Sequence, residues 1–476
     1  MKRRFYIGYF YFLLPLVFFF FIDYAKDVDD IWFLLAHGRY VLTHGIPHVE
    51  FLTIHSGFHF VMQQWAFSVI LYFVYHTLGS VGVCLFTFVF YLLILFFLYR
   101  FCMVISSNNQ YYSCLISSVI TLLLGLNFIL PRPQIISLLC LLIVLYLLEM
   151  FSKNKFYKGI YFIPLISVVL INFHASMWLM LFVFCLPYLA EFFYFTIKNK
   201  DQKVFVLLFI MVISFVVGFL NPYGWEAMTY SVHSYGIASI NLLIREMHSF
   251  SLDFSDSFLF LNSSLILLLC TVFIICFIMN YKKFSIHSVC LFLGLSFMSF
   301  CNLRNTSFLL IGTVPFFVYF FSKDINYSFS IKNFSLFFIV FIVLFLFRYQ
   351  QNFFRLQDPV REEIVSYLDS HVDSDVIIFT YFNDGPYLEY HGYPVYMDTR
   401  AEVFLKSNNH KKDVFDEYYS VLIGDIDFEQ FIRTYQFTHF VVHKDTPIYD
   451  YLEKNDQYCL VYEDLENDIF LFSSLF

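Results

Sequence analysis

The sequence predicts a polytopic α-helical membrane protein of about eleven spans that ends in a small extracytoplasmic α/β domain. Three observations predict it. Of 476 residues, 59% are hydrophobic and 14% charged, against about 45–50% and about 25% in a soluble domain, which excludes a single globular enzyme. Apolar runs approaching the roughly 20 residues that a bilayer-crossing helix needs recur along the first three quarters of the chain. The net charge of −8 conceals two bodies, +7 over residues 1–348 and −15 over residues 349–476. The domains are therefore a membrane domain, 1–348, with a long outer loop at 23–79, and an external domain, 349–476.

The runs lie near 5–22, 80–99, 112–130, 135–151, 159–173, 177–196, 204–220, 258–280, 284–301, 306–321 and 331–348. The first follows Lys2, Arg3 and Arg4 and resembles a signal peptide. It is too long for one, and no small-residue cleavage site precedes Asp23, so it reads as a retained anchor. With the N-terminus in the cytoplasm, fourteen Lys and Arg fall on inside segments and five on outside loops: Lys26, Arg39, Arg132, Arg245 and Arg304. That bias orients the chain in the cell membrane and places loop 23–79, loop 221–257 and the tail outside. Glu149 and Glu191 lie near cytoplasmic span ends and His287 near a span start, so the span interiors are nearly free of charge. Ion-coupled transport is disfavoured on that ground. Nine of the ten cysteines sit in or beside spans, which gives no disulfide framework. No P-loop or dinucleotide fingerprint occurs, and the acidic tail discourages nucleic acid.

In the first outer loop, residues 29–43 have helix periodicity through Ile31, Leu34, Leu35, Val41 and Leu42, with Asp29 or Asp30 as N-cap. Trp32 and Tyr40 suit a membrane interface, and Gly45-Ile46-Pro47 ends the helix. Residues 65–78 form an apolar stretch too short to span, lying in the interface or re-entrant. His44, His48, His55 and His59 cluster here, but the Gly-Ile-Pro break keeps the first pair off a common helix face, and zinc is disfavoured. In the tail, helices are expected at 361–372, 412–423 and 428–435. Strands are expected at 376–380, 393–397, 438–442, 458–462 and 469–472. Asn383-Asp384-Gly385 is a turn signal, and Asp398 and Arg400 form either a local ion pair or a substrate contact.

Several short strings carry a resemblance: Asp30-Ile31-Trp32, Gly38-Arg39, Gly45-Ile46-Pro47-His48, Arg132-Pro133-Gln134, Asn172-Phe173-His174, Leu220-Asn221-Pro222-Tyr223-Gly224 and the tail segment 393–402. The chain resembles a large, mostly uncharacterised bacterial group related to the GT-C glycosyltransferases, which use polyprenyl-phosphate-linked sugars. The resemblance implies that Asp30 is the catalytic carboxylate, a general base on the acceptor hydroxyl. Helix capping is its alternative role, and Asp29 ranks second for catalysis. Departing lipid phosphate needs cationic stabilisation. Arg39, Arg132, Arg245 and Arg304 are the outer-face arginines before the tail, and His174 is a further candidate. The substrate-binding set is Arg39, His48, Glu50, Gln64, Trp65, Arg132, His174, Glu246 and Arg304. Isolated arginines at helix ends also anchor to headgroups, which is the plainer reading of Arg132 and Arg304. Gln63-Gln64-Trp65 departs from the group's His-Glu-Trp pattern and weakens the case for turnover. No cofactor is required by these residues, although the resemblance admits a divalent cation held by Asp30, Glu50 and a histidine. The expected activity is sugar transfer from a polyprenyl-phosphate donor to an extracytoplasmic glycan, such as a cell-surface polysaccharide, a glycolipid or a protein. The alternative is a non-catalytic lipid-linked glycan binding, assembly or flipping protein.

Overall fold

The computed structural model describes residues 14–20, 29–199, 202–234, 244–321, 343–345, 348, 356, 359–372 and 376–475. The chain divides into two compact units: residues 1–26, 81–231 and 241–354 form the first, and residues 27–80, 232–240 and 355–476 the second.

The first unit is a helix bundle. Six of the eleven expected runs fall in helices long and apolar enough to cross a membrane: Trp65–Ile105, Gln110–Asn127, Gln134–Ser152, Ala175–Lys198, Ser257–Met279 and Leu303–Phe320. Three more are apolar but shorter: Tyr157–Phe173, Lys203–Val217 and Ile286–Cys301. The runs 5–22 and 331–348 lie largely outside the described residues. One of the shorter helices, Lys203–Val217, stops short of its run 204–220 for a local reason. The helix Lys203–Val217 ends in a turn that the Asn221 side chain builds. Its amide donates to the carbonyls of Gly218 (2.7 Å) and Gly224 (3.0 Å), and its oxygen accepts from Tyr223 N–H (2.7 Å). Gly224 takes φ +56° there, a conformation that costs glycine little. Asn172, in the last turn of the helix Ile163–Phe173, donates to the Leu220 carbonyl at 2.9 Å. Two of the resemblance strings thus serve helix ends. Deeper in, Trp178 Nε1 donates to Ser167 Oγ, which donates to the Ser214 carbonyl, both at 2.7 Å. That chain satisfies buried polar groups across three helices.

The second unit combines the first long loop with the tail. The helix Asp30–His44 stops at Gly45, at φ +86° with its N–H on Val41 O. A second helix starts at Trp65 and is broken at Gly79, at φ +61° and ψ −154°, so residues 65–78 are separate from the span at 80–105. The two loop helices touch at Gly38, where a Cβ would lie 2.2 Å from Ser68 O and 2.6 Å from Tyr72 Cβ. Gly38→Ala is therefore expected to destabilise this unit by about 1–3 kcal/mol through overpacking, read as a lowered unfolding midpoint in detergent. An unchanged midpoint would remove the close contact.

The tail contributes the helix Pro359–His371 and a four-stranded sheet in the order β1-β2-β4-β3. Its strands are β1 Ile378–Phe379, β2 His439–Val442, β3 Tyr458–Asp464 and β4 Ile469–Ser474. β1 and β2 run parallel, and the other pairs are antiparallel, with a register shift between Leu460 and Tyr462. The segment read as a strand at 393–397 makes only single bridges, Val395 to Ile378 and Val395 to Thr53. Through the second bridge the first loop extends the tail's sheet, with Ile54 N–H on Val395 O at 3.0 Å.

Candidate functional site

In the first unit, three of the expected site residues converge. Arg132 precedes the helix Gln134–Ser152, Arg304 follows the helix Ile286–Cys301, and Glu246 lies in a single turn at Arg245–Met247. Arg132 Nη1 donates to Glu246 Oε1 at 2.9 Å, and Arg304 Nε lies 3.8 Å from Glu246 Oε2. All three are partly exposed, between 20% and 24%. Two guanidinium groups thus face one carboxylate. Arg304 Nε is buried with no hydrogen-bond partner among the described residues. His174 is buried at the end of the helix Ile163–Phe173, with Nδ1 2.8 Å from Ser137 Oγ. Gln134 reaches Ser307 Oγ at 3.2 Å, and Ser307 Oγ donates to Arg304 O at 3.1 Å. Helix starts and ends are where irregular backbone and long polar side chains meet, and both occur at this end of the bundle.

About 22 Å further along the helix Gln134–Ser152, its other end holds a second polar group. Glu149 Oε2 lies 3.2 Å from His287 Nε2, Glu191 Oε2 lies 3.0 Å from His287 Nδ1, and Lys153 Nζ lies 3.2 Å from Glu149. Tyr188 and Tyr319 donate to Glu149 at 3.1 and 2.7 Å. Glu149, Glu191 and His287, expected only as scattered charges near span ends, thus form one buried network joining helices. Burial of charge is tolerated here because each group is paired.

In the second unit, Asp30 is the first residue of its helix and half-buried. The N-cap is Asp29, whose side chain makes no capping hydrogen bond. Arg39 is held by the tail: Nη2 donates to Tyr390 O at 2.6 Å, and the guanidinium lies 5.0 Å from the Tyr390 ring centre. Trp32 packs edge-on against Tyr387 at 4.8 Å. His48 is exposed, and its carbonyl accepts from Phe60 N–H. Gln64 is buried, its Oε1 lacking a hydrogen-bond partner among the described residues, and Trp65 opens the next helix.

Glu50 lies elsewhere, in a buried cluster around Arg400. Arg400 donates to Glu50 at 2.9 and 3.0 Å, to both Asp398 oxygens, to Glu389 at 3.4 Å and to His37 Nε2 at 3.0 Å. The Asp398–Arg400 ion pair is therefore present, as part of a larger centre. Burial pushes the Glu389 carboxyl well above its ordinary range, with the Asp398 charge adding to the effect, so Glu389 keeps its proton. Burial, then Arg400, holds His37 neutral. Glu50 Oε1 also accepts the N–H of Leu52 at 2.8 Å. With both oxygens committed, Glu50 does not fit a cation shared with Asp30 and a histidine. Among the described residues no three His, Cys, Asp or Glu side chains converge as metal ligands. The hub residues Arg400, His37 and Glu389 were not legible as a cluster, since the string Met397-Asp398-Thr399-Arg400 shows only its local half.

No family model and no curated protein matches the sequence. Solved structures match by fold. The oligosaccharyltransferase of Archaeoglobus fulgidus, crystallised with a disulfide-tethered acceptor peptide containing the NVT sequon, aligns with a TM-score of 0.56 at 9% identity, over 88% of this chain and 65% of that one. Its apo form aligns with a TM-score of 0.52 at 9% identity, over 92% and 69%. This chain therefore spans 65% of the length of the first of these. At such identity the likeness is one of fold, and it agrees with the GT-C-like architecture that the motifs imply.

Proposed function

We propose that the chain is a membrane glycosyltransferase that moves a sugar from a polyprenyl-phosphate donor to an extracytoplasmic glycan, glycolipid or protein. One observation carries the reading: two guanidinium groups, of Arg132 and Arg304, face one carboxylate, Glu246, and Arg304 Nε is buried with no hydrogen-bond partner among the described residues. A guanidinium in that state is matched by a lipid-linked phosphate, which it can bind through two parallel hydrogen bonds. The oligosaccharyltransferase fold supports the same class of chemistry. Asp30 is assigned the role of general base on the acceptor hydroxyl, and Arg304 that of phosphate ligand, with Arg132 and Glu246 holding it. The N-terminus is cytoplasmic in this reading and the tail extracytoplasmic.

Purified protein given radiolabelled undecaprenyl-phosphate-glucose in detergent tests it. Arg304→Gln is expected to lower donor binding or turnover by about 10²-fold or more. Equal binding by wild type and variant would sink the assignment. A second reading, binding of a lipid-linked glycan without turnover, is favoured by Gln64, a neutral residue where the resembling proteins carry an acid. Donor retention by wild type with no label released or transferred would select it.

A further inference from the structure

The string Arg132-Pro133-Gln134 supplies more than its arginine. Gln134 is the first residue of the helix Gln134–Ser152 and is 6% exposed. A buried amide needs partners, and this one finds Ser307, with Nε2 donating to Ser307 Oγ at 3.2 Å. Ser307, fully buried in the helix Thr306–Gly312, donates in turn to the Arg304 carbonyl at 3.1 Å. A hydroxyl accepts and donates at once, which suits it to this relay. On the other side, Asn302 Oδ1 accepts the Arg304 N–H at 3.0 Å, while Asn302 Nδ2 donates to Met247 Sδ at 3.1 Å, one residue from Glu246. The backbone repeats that tie, with Leu303 N–H on His248 O at 3.0 Å and Phe250 N–H on Phe300 O at 2.9 Å. Pro133 alone separates Gln134 from Arg132, and its ring holds φ at −54°. The contacts therefore close a ring. It runs from Arg304 through Ser307 and Gln134 to Arg132, and returns through Glu246.

We propose that Gln134 is a positioning residue for the donor: through Ser307 it fixes the Arg304 backbone, and so sets the spacing of the Arg304 and Arg132 guanidinium groups that a lipid-linked phosphate meets. This rests on the donor-binding reading given above. Gln134 touches neither phosphate nor sugar in this scheme. Its contribution is to order Arg304 in advance. An arginine side chain has many rotatable bonds, and a fixed backbone removes part of the ordering cost that binding otherwise meets.

Two measurements test it. The first is donor affinity of the full-length chain in detergent, read as retention of radiolabelled undecaprenyl-phosphate-glucose over a range of donor concentrations. Gln134→Leu and Ser307→Ala should each weaken retention by about tenfold, the worth of one hydrogen bond. In the Arg304→Gln background, Gln134→Leu should weaken it no further, because the residue it aims is gone. A loss that vanishes with Arg304 is one that a merely structural role does not show. An equal loss in both backgrounds would mean general loosening of the bundle and overturn the proposal. The second is a double-mutant cycle on unfolding in detergent with Gln134→Leu and Ser307→Ala, read without donor. Non-additive midpoints support the brace, and strict additivity overturns it whatever the binding assay gives. Coupled midpoints with no donor retained by wild type would instead overturn the donor reading, and with it the role drawn for Gln134.

Discussion

Asp30→Asn is expected to lower sugar transfer by about 10²–10⁴-fold, the usual contribution of a positioned general base. The substitution is chosen so that folding is not the cause. The N-cap is Asp29, and the helix Asp30–His44 starts at residue 30 without a side-chain capping bond. An amide at position 30 keeps the shape of the side chain and gives up a first-turn carboxylate, worth about 0.3–1 kcal/mol against the helix dipole. The hydrophobic face stays in place, because Ile31, Leu34 and Leu35 are buried at 1% or less exposure. Transfer is measured with labelled undecaprenyl-phosphate-glucose at saturating donor. Full activity in Asp30→Asn removes this residue from the reaction, and the same assay on Asp29→Asn then decides the second candidate.

Arg400→Met should unfold or loosen the second unit, at a cost of about 3–5 kcal/mol. The side chain is 5% exposed and ties Glu50, of the first loop, to Asp398 and Glu389, of the tail. Its removal strands the Glu50 and Asp398 carboxyls in a low-dielectric interior without their cation, which is far worse than losing the pair as a whole. Glu50→Gln combined with Arg400→Met should therefore cost less than the two singles added together. Glu389→Gln should be tolerated near neutral pH, because that carboxyl already carries its proton. The sign of the pH effect follows. A carboxyl whose folded pKa is raised favours the fold at low pH and loses that contribution as pH climbs from the ordinary glutamate range through the folded value. Glu389→Gln should flatten this decline. Unfolding midpoints across pH, with protease sensitivity of the tail, read all three variants, and a midpoint unchanged in Arg400→Met would refute the hub.

Nine of the eleven apolar runs and most of the tail's periodic segments translate into described elements. The helix read at 29–43 is Asp30–His44, and those read at 361–372 and 428–435 are Pro359–His371 and Phe428–Tyr435. The strands at 438–442, 458–462 and 469–472 are β2, β3 and β4 with small changes at the ends. Local chemistry also marks Gly45 as a stop. What could not be read is long-range pairing. Glu50 and Arg400 are 350 positions apart, and no local spacing signals that a carboxylate in one loop neutralises an arginine in the tail. Arg361 and Asp29 are hidden in the same way, 332 positions apart. The run 204–220 is overestimated for a different reason: hydropathy runs on through Gly218, Phe219 and Leu220, whereas the helix is ended at Val217 by the Asn221 turn.

The tail's sheet has a consequence for life outside solution dilution. A sheet edge with free N–H and C=O groups recruits strands from other molecules. Here β1 is two residues long and is met by Val395, which in turn is met by Thr53. The opposite edge, β3, is thrown out of register between Leu460 and Tyr462 and ends in the acidic pair Glu463 and Asp464. One edge is covered by the chain's own loop, and the other is irregular and negatively charged. Among the described residues, neither edge therefore offers a neighbouring copy a long, regular strand as a template for exchange.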